Sequence, residues 1–285
     1  MKFEIKNRWS LKVQFECELD AKFDSESYGV QLGAAIKAAY KTRAVLTDAD
    51  LTDAVLTRAV LTDADLTDAV LTGAVLTAAD LTDAVLTRAV LTRADLTRAD
   101  LTRAVLTRAD LTDAVLTGAV LTDADLTDAV LTRADLTVAV LTAADLTRAV
   151  LTDAVLTGSD LTGAVLTRTD LTPIRVDLFD VLLRAPHEVS GLIQALRDGK
   201  VDGGIYEGDC ACLVGTIANL QHCKYNEVPN LNINSNRPAE RWFLGIRRGD
   251  TPDNSNLVKI TIEWIEEFQL LAAAMQTADS RSDKS

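Results

Sequence analysis

The chain has 285 residues and carries 42 Asp and Glu against 29 Lys and Arg, a formal net charge of −13. This acidic balance argues against direct nucleic-acid binding, which needs an excess of Lys and Arg. The sequence contains no apolar run of about 18 residues and no signal peptide pattern, so we expect a soluble, cytoplasmic protein without a membrane partner. The four cysteines are too few and too scattered for a disulfide framework.

Residues 1–43 are predicted to form two strands and a helix. Apolar and charged side chains alternate in two runs between residues 1 and 20, on either side of Asn7-Arg8-Trp9-Ser10. This pattern predicts a β-hairpin. Apolar residues at helical spacing then predict a helix over residues 27–40.

Residues 44–173 consist of one five-residue phrase, Ala-(Asp/Val)-Leu-Thr-X, repeated 26 times without an insertion. Only Ser159 and Thr169 replace the Ala. Five residues turn an α-helix by about 140° net, so the Leu residues would form no stripe on a helix. An odd period would also place successive Leu residues on opposite faces of a strand. The phrase therefore predicts a coil in which each unit forms one short side, with Ala and Leu pointing inward.

The phrase, for example Ala49-Asp50-Leu51-Thr52-Asp53, resembles the A(D/N)LXX repeat of the pentapeptide repeat proteins. The resemblance covers residues 44–173 and implies a mainly β fold, a right-handed, four-sided β-helix in which four units close one coil. The 26 units would then make about 6.5 coils. Since the end of a solenoid exposes strand edges and core, we interpret residues 1–43 as a cap, with a separate binding function as the alternative.

The outward positions of the repeats are the ones free to carry function. The residue before Leu is Asp in 11 units and Val in 15, and the last position contributes 9 Asp and 9 Arg, so the repeats carry −11 in total. Five consecutive last positions are Arg and should pass round all four sides. We call them the arginine girdle and treat them as the candidate interaction surface, with a plain solvated surface as the alternative: Arg88, Arg93, Arg98, Arg103 and Arg108.

Residues 174–275 are predicted to form a mostly helical domain, followed by a disordered polar tail at 276–285. Helical spacing occurs over residues 177–184, 186–198, 210–220, 237–247 and 254–275. Residues 202–213 and 237–243 resemble C-terminal segments of bacterial and prophage members of the same family. That resemblance implies no activity for the domain.

Cys210, Cys212, His222 and Cys223 are the candidate metal ligands, because thiolate and imidazole bind zinc. Their spacing is poor, since a Cys-x-Cys pair on a helix diverges by about 200°. No motif pairs Cys210 with His187 or His222 as a nucleophile and its base. Glu188, Glu240 and Arg241 are interpreted as helix-surface charges. We therefore expect no catalytic residue, cofactor or bound metal.

These observations favour a non-enzymatic rigid scaffold or protein-interaction module whose partner the sequence does not identify. Some pentapeptide repeat proteins mimic DNA and bind DNA gyrase, and the acidic repeats make a gyrase-binding DNA mimic the first alternative. The girdle, the lack of loop insertions and the long C-terminal module count against it. A ligand- or metal-binding C-terminal domain displayed on an inert column is the second alternative. The uniformity of the repeats is consistent with recent duplication or with consensus engineering.

Overall fold

The structure is a computed structural model that describes residues 1–156, 158–205, 208, 211–229, 231 and 237–282. The chain forms two compact units, Met1–Leu171 and Thr172–Ser285. The first unit contains β1 (Lys2–Lys6), β2 (Val13–Glu18), α1 (Tyr28–Lys41) and the repeats. None of the described helices combines the length and apolar character that crossing a bilayer requires.

Each repeat unit from residues 49–53 to residues 149–153 pairs with the unit 20 residues further along the chain. Parallel bridges join equivalent residues, as in Asp50 with Val70, Val55 with Val75 and Val60 with Asp80. Four units therefore make one coil, and the bridges form four ladders. This arrangement is the β-helix solenoid that the five-residue phrase predicts.

Backbone hydrogen bonds between stacked units hold the solenoid together. Leu51 donates its N–H to the Val70 carbonyl at 2.8 Å, and Val70 donates back to the Ala49 carbonyl at 2.9 Å. Within a unit's turn, Ala54 donates to the Leu51 carbonyl at 3.2 Å. The same bonds recur along the repeats, and where Asp precedes Leu its side chain accepts a further backbone N–H, as Asp80 does from Thr82.

In every unit before the one that ends at Pro173, the last residue forms a left-handed corner. The non-glycine residues at these corners that have a positive φ, from Asp48 to Arg168, have values between 51° and 59°. A residue with a Cβ loses about 1–2 kcal/mol in this conformation, and Gly and Asp tolerate it best. This preference explains why Gly and Asp fill so many last positions, whereas the nine Arg occupy them against it.

The core of the solenoid is a stack of Leu and Ala side chains. Every repeat Leu from Leu51 to Leu146 exposes at most 1% of its surface. The two exceptions to Ala satisfy their hydroxyls, since Ser159 Oγ donates to the Leu156 carbonyl at 2.7 Å and Thr169 Oγ1 donates to the Leu146 carbonyl at 2.8 Å. A buried hydroxyl without such a partner would cost free energy.

The N-terminal module, residues 1–43, contacts the first coil through its backbone. Asp50 donates its N–H to the Lys6 carbonyl at 3.0 Å, and Val55 donates to the Gly29 carbonyl at 2.8 Å. Ser27 begins α1 by accepting a hydrogen bond from the Val30 N–H. Hairpin and helix thus each supply an acceptor to one strand edge of the coil.

The second unit is helical, with α2 (Thr172–Arg184), α3 (Val189–Arg197), α4 (Leu213–Gln221), α5 (Pro238–Phe243) and α6 (Asn256–Ser282). The repeat phrase extends to Pro173, yet α2 already begins at Thr172, because proline suits the first turn of a helix. Helix α4 starts later than the predicted residue 210, and α5 ends before the predicted residue 247.

Helix α6 continues through residues for which the sequence predicted a disordered tail. It runs to Ser282, and residues 276–282 contain neither Gly nor Pro to end it. Residues 283–285 of the predicted tail lie outside the described residues.

Candidate functional site

The arginine girdle lies on four successive corners of the solenoid. All five residues adopt the left-handed conformation, with φ between 57° and 59°. Arg108 follows Arg88 by 20 residues, so these two share a corner one coil apart. The predicted passage round the four sides therefore agrees with the bridge pattern.

Two girdle residues form ion pairs with aspartates one coil earlier. Arg88 Nε donates to Asp68 Oδ1 at 2.8 Å, and its terminal nitrogen donates to the other carboxylate oxygen. Arg103 makes the same two bonds to Asp83, at 2.8 and 2.5 Å. The hydrogen-bonded guanidinium lowers the pKa of Asp83, and the carboxylate raises the pKa of Arg103.

The same pairing occurs beyond the girdle, between Arg133 and Asp113 and between Arg148 and Asp128. Each Arg follows its Asp by 20 residues. The sequence therefore carries a signal for these pairs, an Asp followed by an Arg 20 residues later. These pairs are exposed, and surface ion pairs contribute little stability.

The other girdle residues are less completely paired. Arg108 Nε lies 3.8 Å from Asp128 Oδ2. Within the described residues, no ion pair within 4 Å includes Arg93 or Arg98. The corner of Arg98 has Ala78 before it and Gly118 after it, so stacked neighbours supply no carboxylate there. Arg98 is thus the girdle guanidinium least engaged by the column itself.

Asp side chains at the position before Leu accept hydrogen bonds from threonines. Asp80 accepts the Thr82 N–H at 3.0 Å and the Thr62 hydroxyl at 3.2 Å, and the Thr82 N–H is the first cause of its lowered pKa. Asp95 and Asp135 have the same pattern of acceptors. These hydrogen bonds give the Asp side chains a structural role.

The three candidate metal ligands that the structure describes lie at opposite ends of one helix. Cys212 is the N-cap of α4, whereas His222 is its C-cap and Cys223 follows. Nine helical residues span about 13 Å, too far for a shared ion. Cys210 lies outside the described residues. Among those the structure describes, no three His, Cys, Asp or Glu side chains are grouped as a metal site would require.

Glu240 is buried, which corrects its interpretation as a helix-surface charge. It exposes 3% of its surface on α5, and its Oε1 has no hydrogen-bond partner. Burial raises the pKa of Glu240 to about 7, opposed by the nearby Arg237. Burial, with the Glu240 charge, also raises the pKa of Cys212 to about 12, so this thiol stays protonated at neutral pH. Such a thiol is neither a ready nucleophile nor a ready zinc ligand.

Comparisons with known proteins identify the repeats. The family model described as pentapeptide repeats matches residues 42–77, 69–108, 109–141 and 134–172, with eight copies. No curated protein matches the chain. The crystal structure of Rfr23, a pentapeptide repeat protein from the cyanobacterium Cyanothece 51142, is 36% identical over 32% of this chain and 58% of its own, with a TM-score of 0.26.

Two further solved structures are similar. The pentapeptide repeat protein alr5209 from Nostoc PCC 7120 is 34% identical over 39% of this chain and 78% of its own, with a TM-score of 0.24. QnrB1, a plasmid-mediated fluoroquinolone resistance protein, is 18% identical over 44% of this chain and 63% of its own, with a TM-score of 0.41. The chain thus spans about three fifths of the length of Rfr23 and QnrB1. The repeat match and the sequence identity, rather than the superpositions, show that the chain belongs to the pentapeptide repeat proteins.

Proposed function

We propose that the chain is a non-enzymatic scaffold that binds a partner protein through the outward face of its repeats. The observation that carries this proposal is the division of each unit into an inward Leu and Ala and an outward remainder. The coil fixes the backbone at the outward positions, so the column loses little backbone conformational entropy when a partner binds.

The same proposal includes the handedness of the column, its number of coils and the role of its N-terminal residues. It is a right-handed column of about 6.5 coils, with residues 1–43 as its cap. The hydrogen bonds from Asp50 to Lys6 and from Val55 to Gly29 support the cap. The arginine girdle is the proposed interaction surface, and Arg98, which has no acidic neighbour at its corner, is the residue most available to an acidic group of a partner.

The first alternative, a DNA mimic that binds gyrase, receives less support. Phosphate mimicry needs a continuous negative surface, whereas Arg88 and Arg103 cover the carboxylates of Asp68 and Asp83. The second alternative, a metal-binding C-terminal domain, is disfavoured by the separation of Cys212 from His222 along α4. Metal analysis of the purified chain tests that alternative directly, and a stoichiometric zinc content would revive it.

A gyrase supercoiling assay separates the scaffold from the DNA mimic. We expect the wild-type chain to leave supercoiling unchanged at micromolar concentration. Replacing the five girdle Arg by Asp changes the repeat charge by −2 at each position, from −11 to −21. This variant should show salt-sensitive inhibition at most, because charge complementarity acts mainly on association. Wild-type inhibition that resists moderate salt would favour the mimic instead.

Affinity capture from a bacterial lysate tests the scaffold itself. The wild-type chain is compared with a variant in which the five girdle Arg are replaced by Gln. The matched control replaces the other four repeat Arg by Gln: Arg58, Arg133, Arg148 and Arg168. A partner captured by the wild type and the control but lost with the girdle variant supports the proposal. Equal capture by all three proteins would remove the girdle as the surface, and no partner at all would contradict the scaffold.

A further inference from the structure

Glu240 is packed inside the helical unit without a cation bound to its carboxyl. It exposes 3% of its surface, and its Oε1 has no hydrogen-bond partner. Among the described residues, no ion pair within 4 Å includes Glu240 or its neighbour Arg241. A buried carboxylate that lacks a cation and a full set of donors is costly, whereas the neutral acid is tolerated. The packed arrangement therefore favours the protonated form of Glu240.

Arg237, three residues before Glu240, is bound by two carboxylates of α2. Its Nε donates to Asp177 Oδ1 at 2.9 Å, and a terminal nitrogen donates to Asp180 Oδ2 at 2.6 Å. Arg237 favours the charged form of Glu240 without pairing with it, and the charge of Asp177 opposes that effect. The guanidinium is thus already engaged when Glu240 ionises.

The carboxyl of Glu240 also meets the N-terminus of α4. The Val214 N–H and the Cys212 thiol donate to it, and both lower the pKa of Glu240, yet burial is the larger effect and raises that pKa to about 7. Cys212 exposes 2% of its surface, and its Sγ accepts the Gly215 N–H at 3.5 Å. We call the contact of Glu240 with Cys212 and Val214 the latch. The charge of Glu240 acts directly on this contact between α5 and α4.

The other charged groups on the elements around α5 are engaged elsewhere or lie away from the latch. Arg184 of α2 pairs with Asp180. Lys259 and Glu263 of α6 are exposed. His222 is the C-cap of α4, and the nine helical residues between it and the latch span about 13 Å. Glu240 is therefore the group whose ionisation places a new charge in the latch.

Contacts with α2 and α6 hold α5 independently of the latch. Asp177 Oδ2 accepts the Ala239 N–H at 3.0 Å, at the start of α5. Trp242 Nε1 donates to Thr261 Oγ1 at 2.8 Å, and the Trp242 ring lies 5.2 Å from that of Trp264. Neither contact includes the Glu240 carboxyl, so α5 can separate from α4 while it remains bound to α2 and α6.

We propose that ionisation of Glu240 opens the latch, so that the helical unit contains a pH-operated contact between α5 and the N-terminus of α4. The protonated acid keeps the latch closed and Cys212 buried, whereas the carboxylate separates the two helices to reach water. The folded pKa of about 7 lies above the ordinary 4.5, so closure is fully stabilised below pH 4.5 and this stabilisation is lost as pH rises through about 7. The inference concerns the helical unit and goes beyond the scaffold function proposed for the repeats.

Thiol labelling of Cys212 with a pyridyl disulfide tests the latch in the full-length chain. Cys17, Cys210 and Cys223 are replaced by Ser, so that one thiol remains, and a chelator removes metal ions. The labelling rate is divided by that of the same chain unfolded in urea at each pH, which corrects for ionisation of the thiol. We expect this ratio to rise up to about tenfold per pH unit between about pH 5 and pH 7 and then to level off. A ratio that does not change with pH would overturn the proposal.

Two substitutions in this single-thiol chain identify the titrating group. Glu240→Gln keeps the shape of the side chain and cannot ionise, so its labelling ratio should be independent of pH. Glu263→Gln, at an exposed position of α6, is the matched control and should keep the original profile. A pH profile that persists in Glu240→Gln would overturn the proposal and assign the change to another group, such as His222.

The dependence of labelling on urea distinguishes a local opening from unfolding of the whole chain. A local opening exposes little surface, so the labelling ratio should change little at low urea concentrations. A dependence as steep as that of global unfolding would overturn the latch, because Cys212 would then become accessible only in the unfolded chain.

Amide hydrogen exchange of the wild-type chain keeps the test valid if the Ser substitutions disturb folding. Exchange at residues 212–216, corrected for the intrinsic rate at each pH, should lose protection as pH rises from about 5 to 7. Protection that stays constant over this range would overturn the proposal. Partner capture through the girdle is measured separately, so failure of the latch would leave the scaffold function standing.

Discussion

The guanidinium of Arg103 lies on the carboxylate of Asp83, one coil earlier, with Nε 2.8 Å from Oδ1. The three other two-bond pairs in the repeats have the same order, with Asp first and Arg 20 residues later. The charge pattern is therefore organised by the coil rather than by the five-residue phrase. Although the repeats carry a net charge of −11, each corner at which an Arg pairs with an Asp is locally neutral.

Replacing Leu101 by Asp should damage the solenoid far more than replacing Arg103 by Asp. Leu101 has no exposed surface, and a buried carboxylate without a partner costs several kcal/mol, on the order of 3–5. Arg103 is exposed, so Asp there would replace a surface ion pair by like-charge repulsion from Asp83 and Asp123 that the solvent screens. Urea denaturation of both variants measures the difference. Equal shifts of the two midpoints would contradict the inward position of Leu.

The repeat architecture was predictable because one residue, Leu, recurs at a period that fits neither helix nor strand. The apolar spacing over residues 27–40 likewise indicated α1, which begins at Tyr28. What sequence patterns did not show are features that depend on residues distant in the chain. The pairing of Arg88 with Asp68 requires knowledge of the 20-residue coil. The burial of Glu240 depends on elements that lie around α5, which a six-residue helix cannot reveal by periodicity.

Replacing Gly33 by Ala should loosen α1 from the first coil. A Cβ on Gly33 would stand 1.9 Å from the Val55 carbonyl oxygen, so helix and coil cannot keep their contact. We expect a loss of at least about 2 kcal/mol, although Ala favours helix formation by about 1 kcal/mol. Thermal unfolding followed by circular dichroism measures this loss of stability.

Gly163→Ala is the control for this substitution. Gly163 has a φ of 70°, and the nearest atoms to its Cβ would be 3.8 Å away, so only the backbone conformation is strained. The cost should be about 1 kcal/mol, as for other residues at positive φ. A Gly33→Ala variant no less stable than Gly163→Ala would show that α1 does not contact the coil as described.

Replacing Thr261 by Val should destabilise the helical unit. Thr261 is fully buried, and its hydroxyl accepts the Trp242 Nε1–H at 2.8 Å. Val keeps the volume but leaves the indole N–H unpaired, which costs about 1–3 kcal/mol. Combining Thr261→Val with Trp242→Phe in a double-mutant cycle isolates the bond. Additive losses in that cycle would mean that the bond contributes nothing.

The buried carboxyl of Glu240 should make stability fall as pH rises. Its folded pKa, about 7, is raised above the ordinary value of 4.5, so the folded state binds the proton more tightly than the unfolded state. The stabilising effect of protonation is complete below pH 4.5 and is lost as pH rises through about 7. At most it amounts to about 3 kcal/mol.

The groups around Glu240 determine how strongly the stability of the folded chain depends on pH. Arg237 favours the charged form, as do the Val214 N–H and the Cys212 thiol, whereas the charge of Asp177 disfavours it. Glu240→Gln keeps the shape and removes the charge, so it should stabilise the chain at pH 8 more than at pH 5. The control is Glu263→Gln, at an exposed position of α6, which should leave the pH profile unchanged. Chemical denaturation of the full chain at several pH values measures each profile, and a wild-type slope that persists in Glu240→Gln would assign the dependence to another group.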